Sequence, residues 1–446
     1  MGDLLIRNGL VVLPYGVFKL DILIRDGVIT ALGKGLSASG VDVINASGKY
    51  VFPGIVDEHV HMREPGLTHK DNFTNGTMAA AAGGVTTVLE MPNTLPPVDN
   101  GKVLTNKAKL LEPKAYVDFG LYGVIHDSNI HEFEDLVSAG AIGFKIFMGP
   151  TTGNIPPPDD GSLYEAMLKS AKLGVPLAFH AENYALVKYF TEKVRRSGRT
   201  DLEVHNDSRP PICEEEAIQK LILYSRKTGG KAHIVHMSAG GGVRLLRVAR
   251  GEGINVTGET NPHYLLLTKD DYRRYGVLIK VNPPIRGKED QEELWRGVLD
   301  GTITAIGSDH APHSASEKSG DVWSAASGFI GVQTLFPLML DQALRGKLPL
   351  TYIPKLMSEN PARLFSLYPK KGTIMVGSDG DLVIVDPNAK TVIKKEDIYA
   401  KYPLTPFIGR KLKGKIIYTI LRGEVIAKEG KVIGKPRGRW LRPIKG

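Results

Sequence analysis

A chain of 446 residues is too long for one small domain and has room for a barrel-sized domain with a smaller companion. Its 42% hydrophobic and 24% charged residues, with 50 Gly and 28 Pro, exclude a disordered or fibrous protein and fit a globular α/β chain with many loops. The net charge, 57 − 48 = +9, is spread along the sequence; it favours small anionic ligands and, with no recognition module beside it, argues against nucleic acid as a partner.

Residues 1–52 read as short strands: Leu4-Leu5-Ile6, Val11-Val12-Leu13, then Asp21-Ile22-Leu23-Ile24 joined to Val28-Ile29 through Arg25-Asp26-Gly27, a hairpin signal. Eight short apolar runs follow: Gly54-Ile55-Val56, Thr87-Val88-Leu89, Val117-Asp118-Phe119, Phe144-Lys145-Ile146-Phe147, Leu177-Ala178-Phe179, Ile234-Val235, Ile254-Asn255-Val256 and Ile303-Thr304-Ala305-Ile306. Helical segments such as Glu214 to Ser225 and Asp290 to Leu299 separate most of them. Strands that alternate with helices and are apolar throughout predict a parallel sheet buried on both faces, here a (β/α)8 TIM barrel. Strand character returns in Asp381 to Val385 and Ile416 to Ile420, followed by the turn Arg422-Gly423-Glu424. The expected division is therefore a small β-sandwich-like domain from residues 1–52 and 370–446 around a barrel of residues 53–369. Gly229-Gly230 and Gly240-Gly-Gly242 lack the spacing of a nucleotide fingerprint and read as turns, and the basic residues Lys435, Arg437, Arg439, Arg442 and Lys445 read as a solvated tail.

Cys213 stands alone, so neither an intramolecular disulfide nor a cysteine zinc cluster is available. No basic-then-apolar signal pattern and no run of about 18 apolar residues occurs, which makes a soluble cytoplasmic protein without a membrane partner the expectation.

Chemistry is expected at the C-terminal ends of the barrel strands. His59 and His61, two apart after the first run, face the same way in a strand and suit one metal, although such a pair is often incidental by itself. Lys145 in the fourth run, His180 after the fifth, His236 after the sixth and Asp309 after the eighth occupy the same rim, whereas His69, His131 and His205 do not and are read as structural. An ammonium has no lone pair, so Lys145 either snorkels out of the barrel or, neutral between two cations, takes up carbon dioxide as a carbamate able to bridge two metals.

These motifs together resemble the amidohydrolase superfamily, and within it the dihydroorotases with a carboxylated lysine. They are Asp57-Glu-His-Val-His-Met-Arg-Glu-Pro-Gly66, Gly83-Gly-Val-Thr-Thr, Met91-Pro-Asn-Thr94, Gly143-Phe-Lys-Ile-Phe, His180-Ala-Glu182, His233-Ile-Val-His236, Asn282-Pro-Pro-Ile-Arg286 and Ser308-Asp-His-Ala-Pro-His313. The resemblance implies that His59, His61 and Asp309 hold one divalent ion, that His180 and His236 hold a second, and that carboxylated Lys145 bridges them, with zinc as the default metal. It further implies a bridging hydroxide as nucleophile and Asp309 as the base that later protonates the leaving nitrogen.

Substrate choice is expected to come from other groups. Arg63 offers a fork that matches a carboxylate, unless it pairs with Glu64 or Asp57 on the surface; the resemblance makes Arg63, Asn93 and His313 carboxylate binders and has Asn282 touch the ring. Allantoinases look like Met-Pro-Leu-Asn where this chain reads Met-Pro-Asn-Thr, so the expected activity is reversible cyclisation of N-carbamoyl-L-aspartate to dihydroorotate in pyrimidine synthesis. The alternatives are an allantoinase or another cyclic-amide hydrolase of the hydantoinase and dihydropyrimidinase kind, and, more remotely, a non-catalytic scaffold. A homodimer is a family-level expectation. The glycine-rich stretch 149–154 reads either as a mobile active-site loop or as a plain turn.

Overall fold

The computed structural model describes residues 2–149 and 155–444; the stretch 150–154, within the loop singled out above, and Lys445 of the tail lie outside the described residues. Five strands open the chain: β1 (Leu4–Leu13), β2 (Gly16–Arg25), β3 (Val28–Gly33), β4 (Asp42–Asn45) and β5 (Tyr50–Pro53). The β2–β3 turn places Asp26 and Gly27 at φ of 50° and 79°. Two successive positive angles match the right-handed twist of a two-residue hairpin, which explains an Asp-Gly pair at this point.

Nine further strands lie in the middle of the chain: β6 (Ile55–Val60), β7 (Val85–Glu90), β8 (Asp118–Leu121), β9 (Gly123–Val124), β10 (Phe144–Phe147), β11 (Leu177–His180), β12 (Ala232–Ile234), β13 (Val256–Thr260) and β14 (Ala305–Ile306). Their pairings are parallel and run in sequence order: β6 to β7 to β8, then β9 to β14. β8 and β9 are separated by Tyr122 alone, and a parallel bridge between Val60 and His310 closes the ring. This is the (β/α)8 barrel, and nearly every strand residue in it is buried, as strands covered on both faces must be.

The connecting helices begin and end where the sequence supplies caps. The Asn72 side chain accepts from the Asn75 amide at the start of Phe73–Ala82, Asp159 accepts from the Ser162 amide before Asp160–Leu173, and Gly229, at φ 77°, stops Pro211–Thr228. Gly240–Gly242 differs from the expected turn: it opens the helix Gly240–Gly251. A Cβ on Gly242 would lie 2.6 Å from Ile218 Cδ1, so glycine is kept there by close helix packing.

After the barrel come β15 (Leu382–Val392), β16 (Lys411–Leu421), β17 (Glu424–Lys428) and β18 (Lys431–Val432). They join the first five strands in one nine-stranded sheet through the antiparallel pair β5–β15, giving the β-rich domain beside the barrel. The core of this sheet is aliphatic, with Ile6, Ile22, Val51, Leu382, Ile384 and Ile420 packed together.

Barrel and sheet are tied by a buried ion cluster. Lys371 Nζ lies 2.8 Å from Asp379 and 2.7 Å from Asp381 and also pairs with Asp118 of β8, which in turn pairs with Arg422. Burial would depress the Lys371 ammonium, but the three carboxylates around it hold its pKa above the usual lysine value. No helix among the described residues is long and apolar enough to cross a membrane.

Candidate active site

The ten residues singled out from the sequence, His59, His61, Arg63, Asn93, Lys145, His180, His236, Asn282, Asp309 and His313, all line one cavity of about 330 Å³. It opens at the C-terminal ends of the barrel strands: His59 lies in β6, Lys145 in β10 and His180 at the end of β11, while His61, His236 and Asp309 follow β6, β12 and β14. Of the remaining expectations, His69 is exposed and His205 is buried against the carbonyl of Val281, 2.8 Å away, consistent with their structural reading.

The rings are held from behind and turned inward. His59 Nδ1 donates to Glu259 at 3.2 Å, His61 Nδ1 to Asn93 Oδ1 at 2.8 Å, and His180 Nε2 to Glu182 Oε2 at 2.8 Å. Glu182 is itself fixed by Arg209 at 2.7 Å. Each of these contacts puts the proton on the outward nitrogen and leaves the other lone pair facing the cavity. Support of this kind is worth about 10–100-fold in metal affinity.

The inward atoms converge. Asp309 Oδ1 lies 3.4 Å from His59 Nε2 and 3.3 Å from His61 Nε2, and Lys145 Nζ lies 3.5 Å from His59 Nε2. His180 Nδ1 faces His236 Nε2 at 3.0 Å. His59, His61 and Asp309 thus offer three ligand atoms within 4.8 Å of one another. The second pair of imidazoles, His180 and His236, adjoins the first, His59 and His236 having ring centroids 5.3 Å apart.

Electrostatics agree with a cation site. Burial depresses the His59 and His61 imidazoles to about 3 and about 4, so both are neutral with their lone pairs available. Lys145 is lowered to about 8 by burial, against the pull of Asp309 and Glu259. His236 Nδ1 is buried with no hydrogen-bond partner among the described residues.

Three of these residues adopt left-handed backbone conformations: Arg63 (φ 67°), His236 (φ 42°) and Asp309 (φ 46°). Side-chain-bearing residues reach this region at a cost of about 1–3 kcal/mol each, and such strain collects where geometry serves chemistry. Each lies just past a barrel strand, where a left-handed residue redirects the chain and aims the side chain across the mouth.

Sequence reading missed Glu259 and Lys70. Glu259 stands in β13, where the single signal is one acidic residue on a buried strand. Lys70 lies in the loop after β6, outside any periodic pattern, and still borders the cavity.

A model of the amidohydrolase family matches residues 50–426. An allantoinase from Rubrobacter xylanophilus is 40% identical over 445 residues, covering 99% of this chain and 98% of its own. An L-hydantoinase from Paenarthrobacter aurescens is 36% identical over 440 residues, covering 97% and 96%. Among solved structures, the L-hydantoinase (dihydropyrimidinase) of Arthrobacter aurescens superposes with a TM-score of 0.96 at 35% identity, covering 99% of this chain and 100% of that one.

These likenesses overturn the expected dihydroorotase activity, and with it the pyrimidine-pathway assignment: full-length relatives carry allantoinase and hydantoinase names. The physical reason lies at Asn93. Preference for dihydroorotate rested on the Met-Pro-Asn-Thr sequence, but the Asn93 carbonyl is spent on orienting His61, a task any ring substrate requires.

Proposed function

From the premise that the chain belongs to the amidohydrolase family, we propose that it is a metal-dependent cyclic-amide hydrolase whose substrate is a five-membered cyclic ureide, with allantoin first among them. The observation that carries the reaction class is the inward-turned set of four imidazoles, one carboxylate and one desolvated lysine at the barrel mouth. The choice of ring is supported by the 40% identical allantoinase.

His59, His61 and Asp309 would hold one divalent ion and His180 and His236 another, with Lys145 as a carbamate between them; imidazole and carboxylate donors suit zinc. Ions bound there would supply a water acidified enough to attack at neutral pH and would polarise the scissile carbonyl. Asp309 stands against both His59 and His61, where its Oδ1 can take the proton of the attacking water and return it to the leaving ring nitrogen. Asn282 Oδ1 is buried without a hydrogen-bond partner among the described residues, an acceptor placed for a ring N–H. Arg63 donates Nε to the Pro312 carbonyl at 3.0 Å and lines the cavity, a guanidinium fit for an oxygen on the ring or its substituent.

A second reading, a hydantoinase, is favoured by the superposition on an L-hydantoinase. A panel of allantoin, hydantoin and dihydrouracil on metal-loaded protein separates the two. The expected result is ring opening of allantoin with kcat/KM at least about tenfold above hydantoin, the scale of one additional good polar contact. Faster opening of hydantoin transfers the assignment to the second reading, and turnover of no ring by fully loaded protein favours a scaffold.

A further inference from the structure

The loop after β6 and the loop after β14 meet across the cavity rim through Lys70. Its ammonium lies 2.9 Å from Glu317 Oε1 and 3.1 Å from His313 Nδ1. An ammonium has three donors, and these contacts account for two of them. Lys70 is only 7% exposed, and it borders the same cavity as the metal-site residues. A lysine that merely tied two loops together would do so as well with its head in bulk water, at no cost in desolvation.

The neighbours reinforce this reading. His313 Nε2 lies 3.0 Å from the Ser327 carbonyl, which makes that nitrogen a donor and leaves Nδ1 to accept from Lys70. Arg63 Nη2, 3.4 Å from the same Nε2, therefore meets a donor and finds no acceptor there. Burial and the cations around it keep His313 neutral, so the ring adds no third positive charge. Beside the metal-ligand set, then, Arg63 and Lys70 line the cavity as two cations, with Glu317 paired to Lys70 and Ala311 and Ala326 as small apolar neighbours.

We infer that Lys70, with Arg63, reads the substituent on the ring carbon next to the scissile amide and selects an oxygen acceptor there, a ureido carbonyl or a carboxylate, over a hydrocarbon. The inference rests on the proposed ring-opening activity and adds the substrate class to it. An aliphatic substituent beside them would strip water from Arg63 and Lys70 and give nothing back, and sites built for polar groups reject such analogues strongly. Allantoin carries a ureido group at that carbon. A hydantoin bearing a carboxymethyl group carries the alternative acceptor, and 5-methylhydantoin carries neither.

The test compares these three rings on the metal-loaded full-length protein, wild type against Lys70→Met and Lys70→Arg, with metal content and melting temperature recorded for each. In wild type both oxygen-bearing rings should exceed 5-methylhydantoin in kcat/KM, and the larger of the two values identifies the acceptor. Lys70→Met should cut the ratio of the better acceptor ring to 5-methylhydantoin by about 10–100-fold, the scale of a lost hydrogen bond from a charged donor, while Lys70→Arg keeps most of that ratio. Loss of activity on all three rings in equal proportion, or an unchanged ratio, overturns the inference and leaves Lys70 a loop tie. Preference of wild type for 5-methylhydantoin overturns it without any variant. Absence of turnover on every ring by wild type sinks the activity itself, a result distinct from either, and this inference falls with it. Should Lys70→Met fail to fold, Glu317→Gln, which leaves the ammonium in place and removes its counter-charge, should raise the carboxymethyl ring relative to allantoin by severalfold; no change would contradict the inference.

Discussion

Lys145→Ala is expected to abolish both metal retention and ring opening, with activity falling by about a thousandfold or more, the scale of losing a principal electrostatic contribution to an active site. The reason is positional. Lys145 Nζ sits 3.5 Å from His59 Nε2, within a barrel interior where the side chain is only 1% exposed. Alanine removes the one atom that can be converted into a bridging carboxylate and leaves inward lone pairs of His59 and His236 facing a gap. The protein should still fold, because deleting a desolvated amine relieves a burial penalty as well as opening a cavity. Circular dichroism and metal analysis on the same sample separate loss of the centre from loss of the fold. Retained metal together with near wild-type turnover would remove Lys145 from the account.

Lys371→Met should destabilise the protein by about 3–5 kcal/mol, because it leaves Asp381 buried without its cation, while Asp379 keeps Lys370 and Asp118 keeps Arg422. The effect has a pH signature. Burial already raises the Asp381 carboxyl above its ordinary value, and Lys371 is the group that pulls it down. Without the ammonium the folded-state pKa rises further above the unfolded value, so the native state holds a proton the unfolded chain releases. Stability then falls as pH rises through and above the unfolded carboxylate range of about 4, and the deficit against wild type should be small near pH 4 and widen toward neutrality. Denaturant unfolding at several pH values reads this directly; a deficit independent of pH would mean that packing, and not charge, is what Lys371 contributes.

Much of the architecture was legible because buried parallel strands are short and uniformly apolar. The run Phe144 to Phe147 coincides with its strand, the other seven runs overlap β6, β7, β8, β11, β12, β13 and β14, and the two-residue β9 has no run of its own. The four-residue strands Asp42–Asn45 and Tyr50–Pro53 were not, since neither has alternation long enough to distinguish it from loop. The seventh barrel strand was placed at Ile254 to Val256 and runs instead over Val256–Thr260, because Gly258 and Glu259 break the apolar pattern. Glu259 was lost for the same reason: its role depends on His59, 200 positions away in sequence, and one acidic residue in a strand carries no sign of that partner.

The candidate site was legible where chemistry demands particular side chains, at His59, His61, Lys145, His180, His236 and Asp309, all of which meet at one rim. Substrate identity was not. Asn93 and Lys70 show why: both line the cavity, but Asn93, expected to be a substrate group, is engaged with His61, and Lys70 carries no motif that marks it. Which of two neighbouring polar residues faces a ligand depends on loop conformation, and no periodicity encodes that.

Titration of metal-stripped protein with zinc, following allantoin turnover and bound metal in the same samples, bears most directly on the claim that these residues hold a two-ion hydrolytic centre. Activity should be negligible without metal and should climb until about two equivalents per chain are bound. Full turnover by the stripped protein, or a plateau at a single equivalent, would contradict it.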